Sequence, residues 1–571
     1  MEQTGKKTFY LLTGAILSAV LAATSYSMTK FLTVDEPKWL VDRIPRFFAE
    51  LTSFHWHKLF ICNKPGVTLS WLVEAGLVFT KLEGSWLTLG DPRLLFFSRL
   101  PLIIANTLLL LWLTLLVRRV LKSNLAAVCF LALTAVNPTI MGMMPIVNPD
   151  SLSWFFPLAS IILFVLYLDE RRRIDMVMLS LIFAAGVLNK FNYLIILPFM
   201  PLTAFIFFLF RKDRPGDHLR FAAIAILRVY LLSWLIAVFI WPYLIIAPQE
   251  YLRITLWRSM IKPFLAPLVL ILLAFYFFGP RIEEWIKRIA KPLRIAFIAA
   301  PASLSLALIT LTFILTPRLP SILKATTVRA GFAGLIINNY WYHIYSQTTL
   351  ALILYVAACL FLTVSAFKQG KDTDRLLIAS VSLWFVLLYL IGSAATGHIT
   401  VARYQIPVFP AVGLLIAASL PAVLLENRKA ATLVVALTAV VNFALVLPFA
   451  PYYLFYYNHF LPPEKLLFEG WGLGGYEAAR YLNDKPNAAK LKAYASWSGF
   501  DVFFKGRSIG KYENPFELKA DYLVIFKQGE QTVTIANDPA KNAYWRRQAK
   551  PEYKMSVNGV PVIKVIKVRR P

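Results

Sequence analysis

Charge is scarce in this 571-residue chain, where only 16% of residues are Asp, Glu, Lys or Arg; soluble domains carry about a quarter. Acidic residues are scarcer than basic ones, 31 against 59, which leaves a formal net charge of +28. Cysteine occurs three times and histidine six. With 58% hydrophobic and 15% aromatic residues, so little charge excludes a soluble protein of this size, which could not hide that much apolar surface. Disorder is excluded as well, because disordered chains lack apolar and aromatic residues. Cys129 and Cys359 lie inside apolar runs and Cys62 stands alone in a loop, so no disulfide framework exists. What remains is a polytopic α-helical membrane protein.

About twenty apolar residues span a bilayer, and the sequence offers about 13 such runs. They lie near 8–30, 98–117, 124–143, 151–168, 174–192, 193–210, 221–247, 261–279, 295–316, 348–367, 376–395, 405–425 and 431–450. The basic surplus sits between them, in alternate loops such as Arg118–Lys122, Arg171–Arg173, Arg281–Arg294 and Arg428–Lys429. The intervening loops, 144–150 and 396–406 among them, hold few basic residues. That alternation is the positive-inside pattern, so the charge marks cytoplasmic loops and nucleic acid is not a partner. Residues 1–30 read as a retained first span, since the run is long for a signal peptide.

Two regions fall outside the membrane on the far face. The loop 31–97 contains Leu40, Ile44, Phe47, Phe48 and Leu51 at helical spacing, with Lys38, Asp42, Arg43, Arg46 and Glu50 between them. This predicts an amphipathic helix at the interface or packed on protein, kinked at Pro45. Hydropathy falls from about residue 451. A helix is expected through Glu477–Leu482, and strands at Tyr522–Phe526 and Val562–Val568. The expected organisation is a transmembrane unit over 1–450 and a small extracytoplasmic α/β domain over 451–571.

Chemistry-bearing residues gather on that far face. Asp35 and Glu36 follow the first span and suit a general base or a cation ligand; the plainer reading is a helix start before Pro37. Lys64 lies in Asn63-Lys64-Pro65-Gly66, where a Pro-Gly turn would hold it toward a lipid phosphate, though a surface lysine can also simply snorkel. Asp150 in Asn148-Pro149-Asp150 opens the fourth span, a place where a carboxylate commonly caps helix N–H groups. Arg403 and Tyr404 open the twelfth span, and an arginine at that depth needs an anion or an exit to the interface. Arg258 and Lys190 are further cations near the same face.

Three motifs carry less than they suggest. Gly470–Gly475 spells GxGxxG without a preceding strand. Asp372-Thr373-Asp374 lies in a short inner loop beside Lys371 and Arg375, as a solvated turn would. His55-Trp56-His57 supplies two histidines without further ligands, and Trp56 suits an interfacial anchor.

Taken together, these residues resemble the GT-C glycosyltransferases that use polyprenyl-phosphate sugars, nearest the protein O-mannosyltransferases and the lipid A aminoarabinose transferases. The resemblance runs in order through Asp35-Glu36, Lys64-Pro65-Gly66, Val147–Leu152 with Asp150, Asn189-Lys190, Arg403-Tyr404-Gln405-Ile406-Pro407, and Tyr456-Tyr457-Asn458 followed by Gly470-Trp471-Gly472. The chain departs from the pattern at Gly66, Asn63 and Leu473, where relatives often carry proline, an acidic residue and glutamate. The resemblance implies a GT-C fold and transfer of one sugar, with inversion, from a polyprenyl-phosphate donor to an acceptor hydroxyl on a lipid, glycan or protein. It places the site on the outward face and requires no cofactor, with a divalent metal left open; the single short C-terminal domain points to a bacterial inner membrane. Asp35 would be the base and Asp150 would hold the acceptor or orient Asp35. Lys64, Arg403 and Arg258 would bind the donor phosphate, with Glu36, Lys190 and Tyr404 as secondary candidates. A phosphodiester-linked sugar leaves as a phosphomonoester, and fixed cations stabilise the charge that develops.

Three other functions compete. A transporter or flippase of sugars or lipid-linked sugars would place ionisable groups at mid-membrane within inverted repeats, whereas the polar candidates here cluster at one face. An oligosaccharyltransferase or polymer ligase would share the chemistry with a larger donor and often a metal. A non-catalytic scaffold would use its C-terminal domain to bind a partner.

Overall fold

The computed structural model describes residues 2–568 apart from 27, 30, 63–64, 83–88, 90, 212–216, 257–261, 317–330, 369–372, 397–400, 421–427, 461–470, 511–512, 514–516 and 528–549. Among the described residues, nine helices are long and apolar enough to cross a membrane, from Lys6–Ser25 to Lys429–Phe449. The chain is an integral membrane protein. Three apolar helices are shorter: Val67–Thr80, Asn124–Ala135 and Val408–Ala418. The Pro149–Glu170 helix is enclosed by protein along its apolar stretch, whereas Lys6–Ser25 and Lys429–Phe449 turn most of theirs outward. The bundle therefore has an inner helix that meets no lipid and a periphery that does.

Sequence chemistry sets the ends of several helices. The Pro92–Leu121 helix starts where the Asp91 carboxylate accepts the Arg93 N–H at 2.8 Å, with Pro92 in the first turn, both favourable at an N-terminus. It stops at Lys122, whose φ of 51° cannot continue a right-handed helix. The expected run 124–143 becomes two helices, Asn124–Ala135 and Pro138–Met143, because Asn137 caps the second through the N–H groups of Thr139 and Ile140.

The expected runs 261–279 and 295–316 become two helical segments within Lys262–Leu315 that meet at a kink at Ile289 (φ −113°, ψ 17°), with no loop between them. Pro292 accounts for the break, since it has no N–H to offer the Arg288 carbonyl and its ring crowds that group. The basic stretch between the two runs is helical instead of being a loop, which the charge pattern alone did not reveal.

In the loop after the first span the amphipathic segment splits ahead of Pro45 into a π-helical turn, Lys38–Arg43, and an α-helix, Ile44–Thr52. Trp39, Leu40, Ile44, Phe47 and Phe48 are buried. The rings of Phe47 and Phe48 lie 6.3 and 5.1 Å from that of Trp71. This segment packs on the Val67–Leu82 helix instead of floating free in the interface.

Toward the C-terminus a helix, Gly475–Asn483, precedes a five-stranded sheet: β1 (Lys492–Ala495), β2 (Arg507–Ile509), β3 (Tyr522–Phe526), β4 (Tyr553–Val557) and β5 (Val560–Lys567). The order is β2-β1-β3-β5-β4. The β1–β2 and β1–β3 pairs are parallel, and the β3–β5 and β4–β5 pairs antiparallel. β3 is buried on both faces, which explains its unbroken apolar run Tyr522–Phe526. The Val34 N–H donates to the Trp471 carbonyl at 3.3 Å, tying the segment before this helix to the loop after the first span.

Candidate active site

The adjacent acids Asp35 and Glu36 part company. Glu36 is fully buried and receives Arg99 through two bonds, Nε at 3.0 Å and Nη2 at 2.6 Å. The Thr33 and Val147 backbone N–H groups donate to it at 2.8 and 2.9 Å, and the Thr33 hydroxyl at 3.0 Å. Arg99, itself fully buried, also donates to the carbonyls of Met28 and Phe31 and stacks on the Phe31 ring. A bidentate pair with its remaining oxygen capacity filled tolerates such burial. Glu36 thus clamps residues 28–36 to the Pro92–Leu121 helix and to the loop 144–150, and that clamp presents Asp35. The half-buried Asp35 faces Asn148, whose Nδ2 lies 3.5 Å from its carboxylate.

Asp150 does not cap its own helix. Asn148 takes that part, accepting the Asp150 N–H at 3.0 Å over a 3₁₀ turn, Pro149–Leu152. The Asp150 carboxylate, nearly buried, is left free to pair with Lys190. Lys190 follows the Arg173–Asn189 helix in extended conformation, and Asn189 braces the turn by donating to the Pro149 carbonyl at 2.7 Å. The Lys190 ammonium also lies 4.6 Å from the Tyr404 ring centre. Arg403 stacks on the same ring at 4.8 Å, bonds the Tyr404 hydroxyl at 3.2 Å, and reaches the Trp471 ring at 4.3 Å. A continuous chain of contacts therefore runs Asp150–Lys190–Tyr404–Arg403–Trp471.

A cavity of about 190 Å³ opens among Asp35, Lys38, Trp39, Arg43, Asn148, Pro149 and Lys190. Three cations and one carboxylate line it, so it favours an anion beside a single base. It is smaller than pockets for drug-sized ligands, about 300–1,000 Å³, and suits a small polar group. Arg403 lines a separate space of about 20 Å³ with Thr139, Tyr453 and Trp471, joined to the first through Tyr404 and Lys190.

Lys64 and Arg258 lie outside the described residues. The described end of the Lys64 turn is fixed closely, however. Gly66 has φ +60°, its N–H donates to the Asn189 carbonyl at 3.1 Å, and a Cβ there would fall 2.0 Å from a Trp39 ring carbon. Only glycine fits such a site. The turn is thereby pinned between Trp39, which lines the cavity, and the residue preceding Lys190.

Lys38, Arg43 and Arg99 were not singled out by sequence reasoning. The first two look like the polar face of an amphipathic helix, although Lys38 lies one helical turn beyond Asp35. Arg99 stands at the head of an apolar span, a placement that itself demands a partner. Of the discounted motifs, Asp374 pairs with Lys122 at 3.0 Å and Arg211 at 2.5 Å instead of forming a solvated turn; Asp372 lies outside the described residues. His55 meets Glu50 at 3.0 Å. No group of three or more His, Cys, Asp or Glu able to hold a metal occurs among the described residues.

No family model and no curated protein matches the chain. Among solved structures, the chain is similar along nearly its full length to ArnT from Cupriavidus metallidurans. The apo form aligns at 12% identity with a TM-score of 0.30, covering 99% of this chain and 98% of that one. The form bound to undecaprenyl phosphate aligns at 11% identity with a TM-score of 0.29, covering 98% and 97%. Those scores carry no argument about chemistry, which rests on the side-chain geometry above.

Proposed function

We propose that the chain is a GT-C glycosyltransferase that moves one sugar from a polyprenyl-phosphate carrier to an acceptor hydroxyl, with inversion, at the outer face of a bacterial inner membrane. The observation that carries this reading is the cavity in which Asp35 stands among Lys38, Arg43 and Lys190. The carrier follows from the resemblance of Asp35-Glu36, Lys64-Pro65-Gly66, Asp150, Asn189-Lys190 and Arg403-Tyr404 to the GT-C enzymes that use polyprenyl-phosphate sugars.

In this mechanism the Asp35 carboxylate takes the acceptor proton as the oxygen attacks the anomeric carbon. The bond between that carbon and the phosphate oxygen breaks, and the electron pair leaves with a phosphomonoester. Lys38, Arg43 and the turn lysine Lys64 neutralise the charge gained, which matters most in the transition state. Arg403 adds positive charge from beyond Tyr404, and the resemblance assigns Arg258 to the same anion. Asp150 holds Lys190 in place, and Tyr404 keeps Lys190 and Arg403 on opposite contacts of one ring. Membrane-spanning walls hold the carrier tail, so no nucleotide-binding domain is required.

The test is transfer of radiolabelled sugar from polyprenyl-phosphate donors to membrane extracts by the purified protein. Asp35→Asn should lower turnover by a factor of about 10²–10⁴ while leaving donor binding in place. Near wild-type turnover of Asp35→Asn would remove the base assignment. Failure of the wild-type protein to consume any such donor, together with sugar flux in proteoliposomes, would replace transfer by transport.

A further inference from the structure

A second, roomier cavity lies at the other end of the bundle. Arg99, beside Asp35, and Arg119 are twenty residues apart on the Pro92–Leu121 helix, which separates them by about 30 Å, the thickness of the hydrocarbon core. At the Arg119 end, a crevice of about 1,130 Å³ opens between the Glu2–Ser25, Pro92–Leu121, Asn124–Ala135 and Arg428–Val446 helices. Five cations line it: Lys6, Arg118, Arg119, Lys122 and Lys429. No carboxylate lines it among the described residues. Its walls below the cations are apolar, and Leu115 and Leu433 within them are 38% and 60% exposed, so it opens sideways toward lipid.

The five cations are not equivalent. Arg119 is neutralised by Asp175 and Glu170, and Lys122 by Asp374. Arg118 lies against the Phe9 ring at 4.8 Å, and Lys429 is exposed; neither pairs with a carboxylate among the described residues. Among the described residues these two cations thus stand without a carboxylate above an apolar cleft. That combination matches a molecule with an anionic head and hydrocarbon tails, and basic pockets between helices on the cytoplasmic side bind such heads. We propose that this crevice is a binding site for an anionic glycerophospholipid of the leaflet at the basic boundary, with its phosphate between Arg118 and Lys429 and an acyl chain along Leu115 and Leu433. The bound lipid would brace the four helices that line the crevice.

Native mass spectrometry of the full-length protein tests this, with phosphatidylglycerol and phosphatidylcholine of equal chain length added in competition. Phosphatidylglycerol should be retained preferentially, and each cation removed should reduce that preference about fivefold, in Lys429→Glu and in the Arg118→Gln/Lys429→Gln pair. Because Lys429 is exposed, Lys429→Glu should fold even if the double variant does not. Equal retention of the two lipids, or an unchanged preference in Lys429→Glu, would overturn the site. Displacement by millimolar glycerol 1-phosphate would show a free-phosphate site and overturn the lipid assignment. The readout involves no sugar transfer, so it stands apart from the reading of the opposite end.

Discussion

Arg99 and Glu36 together act as a clamp, and their value is seen best in what happens when one is lost. Arg99→Leu leaves a carboxylate with no exposure and no cation, at a cost of about 3–5 kcal/mol. Its unfolding temperature in detergent should fall clearly, and replacing Glu36 by Met in the same chain should recover part of the loss. A drop in the double variant at least as large as in the single would mean that the pair is not the source. Lys190 carries a different burden, because it sits between the Asp150 carboxylate and the Tyr404 ring. Lys190→Met should lower sugar transfer roughly a hundredfold, the rate equivalent of about 3 kcal/mol, while Lys190→Arg keeps most of it. Equal damage from both would point to shape instead of charge.

Elements, more than single residues, decide where the cavity opens. The π-helical turn Lys38–Arg43 places Lys38, Trp39 and Arg43 on one cavity, and the Gly66 turn is braced against Trp39. Gly66→Ala combines an unfavourable backbone angle with a clash at 2.0 Å against Trp39, so the turn or the tryptophan must move. The expected outcome is a raised KM for the lipid donor, since Lys38 and Arg43 move with Trp39, with a far-UV spectrum unchanged. Wild-type kinetics in Gly66→Ala would show that the turn is not coupled to the cavity. The expected separate spans 261–279 and 295–316 teach the same lesson. A basic stretch between two apolar runs looks like a loop, yet most of its residues have good helix propensity, and of its two prolines, Pro280 and Pro292, the second accompanies the kink at Ile289.

At the scale of the whole molecule, the proposed activity depends on sidedness. Asp35 and the 492–567 sheet belong to one boundary of the bundle, through Trp471, Val34 and Arg403, and the lipid crevice belongs to the other. Fusion of the C-terminus to alkaline phosphatase should give active reporter in bacterial cells, while a fusion to a cytoplasmically fluorescent protein stays dark. The reverse pattern would invert the proposed topology and place Asp35 inside. The division at about 450 remains part of the same proposal: one face of the sheet forms a small core of its own around Leu523 and Ile509, while the other, with Val524 and Ile563, and the Gly475–Asn483 helix share the main apolar core.

The amino-acid sequence by itself determined the membrane class, because scarcity of charge and runs of apolar residues act through composition and length alone. It also marked Asp35, Asp150, Lys190, Arg403 and Tyr404 as polar groups near one boundary, since a charged group at a span end must be explained. Which of two adjacent acids becomes structural was settled only by tertiary structure: Glu36 meets an arginine 63 residues away, and no local pattern encodes that distance. The same holds for Lys38 and Arg43, whose spacing fits an ordinary solvated face until Asn148 and Lys190 close a cavity over them. The pairing of Asp150 with Lys190 likewise depends on two helices being packed side by side, a contact that arises from the burial of their apolar faces and not from the charges themselves.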